Sequence, residues 1–370
     1  MTDATPGMSS WQVAMRAGAS GETRFADMKG LRCRMATSAL LPVLLFVAAS
    51  LATVPLAAQV RDQHEDANSA RYDAMFGTPN RYTPSPPTNL FATTPGLEQQ
   101  VRRSQFTVNG LVPMFFNSNA EALPSGGTNS AEFSPILGMS WATPVFDLPF
   151  KFTANTRAEV DRFTQASSLD FDKITASGRL QYVDPNNDQA YSPYVSYAPR
   201  WDFAPFYKSW FATRQDLNFG VNKTFNYDAN FRRVAFSGNT LAETVWSFGM
   251  TAVIQRRFRD PPPGSWAAYL VPSATFAISP HWNLSAGILA ERRAFDSYYG
   301  FSQEDWLIEP IVTLEFVLPE SWFGSDRTAM WLGRPALDFQ VAYEKNWSNL
   351  PAANFEVWHV GIALKMGWRF

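Results

Sequence analysis

The stretch FKFTANTRAEVD, residues 150–161, alternates without a break. Phe150, Phe152, Ala154, Thr156, Ala158 and Val160 share one parity, while Lys151, Thr153, Asn155, Arg157, Glu159 and Asp161 share the other. Successive side chains of an extended strand point to opposite faces, so this is a strand with one apolar and one polar face. It is also about twice as long as the usual five- or six-residue strand of a soluble sheet. The end of the chain repeats the pattern: Trp358, Val360, Ile362, Leu364, Met366, Trp368 and Phe370 alternate with His359, Gly361, Ala363, Lys365, Gly367 and Arg369.

Working outward from these two segments, twelve such runs can be traced, at 104–117, 132–146, 150–163, 174–184, 191–203, 213–227, 243–258, 266–279, 282–295, 306–318, 336–348 and 355–370. Each is long enough to cross a bilayer when tilted. Composition agrees. The chain has 370 residues, of which 46% are hydrophobic, 15% aromatic and 17% charged, with 13 Trp and 30 Phe. Charge is scarcer than the roughly 25% of soluble domains, yet the mean hydropathy of −0.19 excludes a bundle of apolar membrane helices. Lys plus Arg (31) nearly balances Asp plus Glu (33), so no basic excess points to nucleic acid. The expected fold is all-β: a transmembrane antiparallel up-and-down β-barrel of about twelve strands (roughly ten to fourteen), with a polar charged lumen and aromatic girdles.

Turns and tryptophans bear on the same expectation. Asp147–Leu148–Pro149 and Ser279–Pro280–His281 are tight connections that follow even-numbered runs, as periplasmic turns would if both chain ends are periplasmic. The connections 228–242 and 319–335 are long for that side, and each is expected to hold a small helix or hairpin. Trp141, Trp201, Trp246, Trp266, Trp282, Trp306, Trp347, Trp358 and Trp368 fall on the apolar parity near strand ends, where indoles mark the two interfaces of a membrane. The aromatic segments 204–211 and 296–305 read as interface anchors.

One stretch resembles a membrane helix: ALLPVLLFVAASLATVPLAA, residues 39–58. Lys29, Arg32 and Arg34 precede its apolar heart, and Ala57–Ala58 close it, which is the order of a secretory signal peptide. A permanent anchor is the competing reading, against which stand Pro42, Pro55 and the short apolar heart. Residues 1–58 are thus expected to be removed, with Met1, Met28 or Met35 as the start. The single cysteine, Cys33, lies before that segment, so a mature chain has neither disulfide nor thiolate metal site, and no metal or cofactor is expected. Residues 59–103 are proline-broken and without period, and read as a flexible periplasmic leader preceding a barrel at 104–370.

The ending Leu364–Lys365–Met366–Gly367–Trp368–Arg369–Phe370 resembles the C-terminal signal of bacterial outer-membrane β-barrel proteins. That resemblance implies insertion through the barrel assembly machinery into the bacterial outer membrane, with Leu364, Met366, Trp368 and Phe370 as the assembly signal. Outer-membrane lipid and lipopolysaccharide are then the surroundings. It covers about ten residues and identifies no subfamily.

With the apolar parity facing lipid, Lys151, Arg157, Arg179, Arg200, Arg214, Arg257, Arg259, Lys365 and Arg369 face inward as a basic wall. Glu291, Glu309, Glu315, Asp338 and Glu344 face inward as an acidic one. Opposed walls across a water-filled pore would orient solutes and set ion preference. The leading expectation is therefore a porin-like channel for passive diffusion of small polar or charged solutes. Two alternatives stay open: a closed structural or adhesion barrel with a salt-bridged interior, and an outer-membrane lipid-modifying enzyme. The last needs a serine activated by a base. Of His64, His281 and His359 only His359 lies on a strand, and no Gly-x-Ser-x-Gly elbow is present.

Overall fold

The computed structural model describes residues 104–146, 148–184, 190–234, 244–297 and 302–370, with the side chains of Asp326 and Arg369 left aside. The expected signal peptide and the leader at 59–103 lie outside the described residues. Thirteen strands follow one another: β1 (Gln105–Asn117), β2 (Ser130–Phe133), β3 (Ile136–Pro144), β4 (Phe150–Phe163), β5 (Phe171–Tyr182), β6 (Ser192–Phe203), β7 (Trp210–Tyr227), β8 (Trp246–Asp260), β9 (Ser265–Ala277), β10 (Trp282–Phe295), β11 (Glu304–Val317), β12 (Ala336–Ser348) and β13 (Phe355–Arg369). Every pairing is antiparallel between neighbours, and β13 pairs back onto β1 from Thr107↔Arg369 to Asn117↔His359, closing the sheet.

Strands β2 and β3 occupy one place in the wall. Both lie between β1 and β4, and the register is the same on either side of the gap: Leu111 faces Ile136 and Met114 faces Phe133. Pro135 interrupts the ladder because it has no N–H to donate. Neighbouring bonds continue around it, Ser134 N–H donating to the Pro113 carbonyl and Val160 N–H to the Pro135 carbonyl, each at 3.2 Å. The barrel is therefore twelve-stranded, as the alternation predicted.

Its polarity is the reverse of a soluble protein's. Leu137, Phe219, Ile254, Ile288, Val312 and Phe339 are exposed on the outside, while Asn117, Gln255, Arg257, Glu309 and Asp338 are at most 1% exposed on the inside. A closed barrel satisfies its own backbone and can present such a surface to hydrocarbon. The rim that carries Gln105 and Phe370 is called here the near rim, the opposite one the far rim. Trp141, Trp246, Trp282 and Trp368 lie toward the near rim, and Trp201, Trp266, Trp306, Trp347 and Trp358 toward the far rim, with Trp306 directly opposite Trp347 in the ladder. At the near rim the connection after β11 holds a 3-10 turn (Glu320–Phe323) and a helix, α1 (Asp326–Trp331), capped by Ser325, whose hydroxyl accepts from Thr328 N–H at 3.2 Å. The other long connection, after β7, is described only to residue 234, where Tyr227 and Arg233 form an isolated bridge.

Connection length does not separate the two rims. Far-rim connections are as short as 261–264 and near-rim ones as long as 318–335. The seam is sealed at its end by reciprocal bonds, Phe370 N–H to the Phe106 carbonyl at 2.8 Å and Phe106 N–H to the Phe370 carbonyl at 3.2 Å.

Candidate functional site: the inner wall of the barrel

Alternation decides which side chains face inward, and register decides which of them meet. In the far half the inward charges are joined in pairs. Asp216 on β7 receives Arg257 of β8 through a fork, Nε to Oδ1 at 2.8 Å and Nη2 to Oδ2 at 3.1 Å. Arg214, two residues along the same strand, lies 3.0 Å from the same carboxylate. Arg157–Glu159 and Arg200–Asp202, both at 2.6 Å, and Glu291–Arg293 at 2.5 Å repeat that spacing of two, which places both partners on one face of one strand. Lys173 of β5 lies 2.7 Å from Glu159 and 3.1 Å from Asp161 of β4. Burial of this depth requires such pairing, because a charge taken from water without a partner costs several kcal/mol.

Around β13 two further groups form across strands. Lys365 contacts Glu315 of β11 and lies 3.5 Å from Asp338 of β12, and Asn283 donates to the other Glu315 oxygen at 2.8 Å. Farther up, His359 Nδ1 meets Asn117 Oδ1 at 2.7 Å and its Nε2 meets Glu344 at 3.2 Å. Asn117 donates to Glu132 at 2.6 Å, and Ser134 donates to the second Glu132 oxygen at 2.9 Å. Both ring nitrogens of His359 are thus occupied.

These contacts set acids and bases side by side along the inward parities read as basic and acidic walls. Glu291, Glu315, Asp338 and Glu344 each lie beside a basic side chain, and Arg157, Arg200, Arg214 and Arg257 each beside an acidic one. Acids and bases interleave at i, i+2 on single strands and at some register partners, such as Asp216 with Arg257 and Glu159 with Lys173, while others match in sign, such as Glu315 with Asp338 and Arg200 with Arg214. Glu309 is fully buried on β11 and Arg259 half-buried near the end of β8. Arg369 is placed by its backbone alone, opposite Thr107.

Alternation missed one element. Leu289, Leu307, Ile311, Val357 and Phe355 face inward with at most 6% exposure and form an apolar belt on β10, β11 and β13. The run WLIEPIV, residues 306–312, carries the signal, being apolar on both parities around Glu309 and Pro310.

The near half is different again. Ser177, Ser196, Ser273, Thr275 and Ser285 stand on the inner parity and are half-exposed, so small hydroxyl side chains leave space there. On β4 to β8, Lys151 and Arg179 are the described inward cations of this half, 4% and 7% exposed. Arg179 Nε and Nη2 meet no hydrogen-bond acceptor. Among the described residues, no Asp or Glu occupies the near halves of β4 to β8.

On the outer parity near the far rim, Arg256 grips Asp296 through two contacts of 2.6 and 2.7 Å and lies 5.4 Å from the Trp266 ring. Arg292 stands 5.6 Å over Trp306. Of the expected assembly signal, Leu364, Met366 and Trp368 are half-buried on the outer parity and Phe370 is exposed. Trp368 Nε1–H donates to the Trp331 carbonyl of α1 at 2.9 Å.

No protein-family model and no curated protein matches the chain. Among solved structures, an outer membrane channel from Pseudomonas putida F1 aligns at 10% identity and TM-score 0.44, over 75% of this chain and 100% of its own. The translocator domain of the autotransporter NalP from Neisseria meningitidis aligns at 8% and 0.41, over 85% and 100%. LpxR from Salmonella typhimurium aligns at 6% and 0.33, over 71% and 99%. The placement of this chain rests on its own polarity. An apolar exterior, two indole girdles and a closed antiparallel barrel are the form in which β-structure spans the bacterial outer membrane. The chain is a transmembrane β-barrel of the outer-membrane type.

Proposed function

We propose that the barrel is a channel for the passive diffusion of small polar or charged solutes. The observation that supports this most is the half-exposed hydroxyl-rich lining of the near half, set against a far half whose ion pairs narrow the path. Exchange of those pairs for solute and water is what opens it, and paired guanidinium and carboxylate groups then select by charge. The engagement of both His359 nitrogens speaks against an esterase, which needs one of them free to take a serine proton. Outer-face Arg256 and Arg292, each stacked on an indole, suit the phosphate groups of lipopolysaccharide. Trp368 and Phe370, at the end of the closing strand, suit recognition by the assembly machinery.

The test is single-channel conductance of the full chain in a planar bilayer, with the reversal potential read in a salt gradient. Stable, ion-selective steps are expected, and neutralising Glu315 and Asp338 together with Lys365 should change the selectivity. Silence at every voltage, with folding verified by heat-modifiable migration, would overturn the channel. It would favour a closed structural barrel, the reading to which the at most 1% exposure of Asp216, Arg257, Glu291 and Arg293 lends weight.

A further inference from the structure

We infer that the near half of the inner wall contains a binding site for a small carboxylate, centred on Arg179. The inference rests on the channel reading for the route by which such a solute arrives. Arg179 is 7% exposed, and its Nε and Nη2 have no acceptor. Those two N–H groups point the same way along one edge of the guanidinium. The same edge of Arg257 holds the two oxygens of Asp216, at 2.8 and 3.1 Å. The barrel therefore shows with its own side chains what that edge accepts: a planar carboxylate, bound through two parallel hydrogen bonds.

The fork is also held in place. Its carbon lies 3.7 Å from the centroid of the Tyr194 ring. Tyr194 in turn packs the phenol end of its ring against Gly220, where a Cβ would come within 2.4 Å of it. Glycine at 220 thus lets the ring rest on the wall, and the ring holds the guanidinium by cation–π attraction while its buried Nε–Nη2 edge stays without an acceptor. Thr153 and Ser196, the register partners of Arg179, place hydroxyls on either side, and Lys151 stands in the next row opposite Gln181. Arg157, Arg200, Arg214, Arg257 and Arg293 each already lie beside a carboxylate. Arg179 is set among hydroxyls and amides, so a buried guanidinium left with two unmet donors is stabilised by whichever anion enters.

Isothermal titration of the full chain in detergent with succinate, and with the neutral isostere succinamide, tests the site. Succinate is expected to bind saturably at one site and succinamide not to bind. Arg179→Gln should abolish binding. Arg179→Lys, which keeps the charge and loses the fork, should weaken it at least about tenfold. Gly220→Ala, which pushes the Tyr194 ring off the wall, should weaken it without altering any charge; it and Arg179→Lys decide the matter if the glutamine variant does not fold. Equal affinity for succinate and succinamide, or unchanged succinate binding in all three variants, would overturn the site. Conductance of the same samples separates the two proposals. A conducting barrel with no Arg179-dependent binding overturns the site and leaves the channel standing. A silent barrel that binds succinate through Arg179 overturns the channel and keeps the site.

Discussion

Replacing Asp216 by asparagine should destabilise the barrel more than any single change to its arginine partners. Asp216 lies against two guanidiniums, Arg257 through the fork at 2.8 and 3.1 Å and Arg214 at 3.0 Å, and it is 1% exposed. Asparagine keeps one oxygen but turns an NH₂ toward groups that only donate. Arg257, which is fully buried, then loses the carboxylate that its fork grips. Removing one partner of a buried pair costs about 3–5 kcal/mol, because the other charge stays desolvated. Arg257→Met removes the larger cation but leaves Asp216 beside Arg214, so only charged hydrogen bonds are lost, about 1.5–3 kcal/mol. The assay is equilibrium unfolding in guanidinium chloride, followed by tryptophan emission. At a slope of about 4 kcal/mol per molar, Asp216→Asn should lower the midpoint by about 1 M and Arg257→Met by about half that. If Arg257→Met costs as much as Asp216→Asn, or if neither moves the midpoint, Asp216 is not the shared anchor of the two guanidiniums.

Three further outcomes are expected. Leu307→Ala, at a fully buried position in the inward apolar belt, should cost about 2–5 kcal/mol in the same unfolding assay, whereas a belt that merely borders water would show far less. Gly361→Ala should cost about 1–3 kcal/mol, because a Cβ there comes within 2.4 Å of the Phe115 ring and 2.5 Å of the Met114 carbonyl; a neutral result would mean the ring moves aside freely. In the loop after β1, hydrogen bonds from Thr128 hold the Glu121 carboxyl below its ordinary pKa. A depressed folded-state pKa gives stability that is present above the unfolded value and lost as pH falls through the folded one. Proteolytic nicking of residues 118–129 should accordingly rise at acid pH, and Glu121→Gln should remove that dependence.

The strands were legible because a barrel in lipid writes its two faces as two parities, and no tertiary contact is needed to read them. The run at 150–163 and strand β4 have the same bounds. The second run, read as 132–146, already spans Pro135; the structure begins it two residues earlier, at Ser130, and breaks the ladder between Phe133 and Ile136 at the residue that cannot donate. Charge sign by strand suggested walls, but pairing is decided at the scale of two residues. Arg157 and Glu159, Arg200 and Asp202, Arg214 and Asp216, and Glu291 and Arg293 were all readable as same-face neighbours of opposite sign. The Arg257–Asp216 fork and the Lys365–Glu315–Asp338 group depend on register between strands, which parity does not supply. The unpaired edge of Arg179 was illegible for the same reason: its place over Tyr194 follows from the offset between β5 and β6.

Among the described ion pairs between residues two apart, those on β6 and β10 have a consequence for how such a wall changes over time. Arg200–Asp202 and Glu291–Arg293 each put a guanidinium and a counter-ion on one strand, so that pair travels together. A strand of this kind can be duplicated or exchanged between barrels with that pair intact, whereas β4 and β7 also hold Lys173 of β5 and Arg257 of β8 and move only with those neighbours. The group at Lys365 offers no such freedom: its charges are divided among β11, β12 and β13, and those three strands must be inherited together.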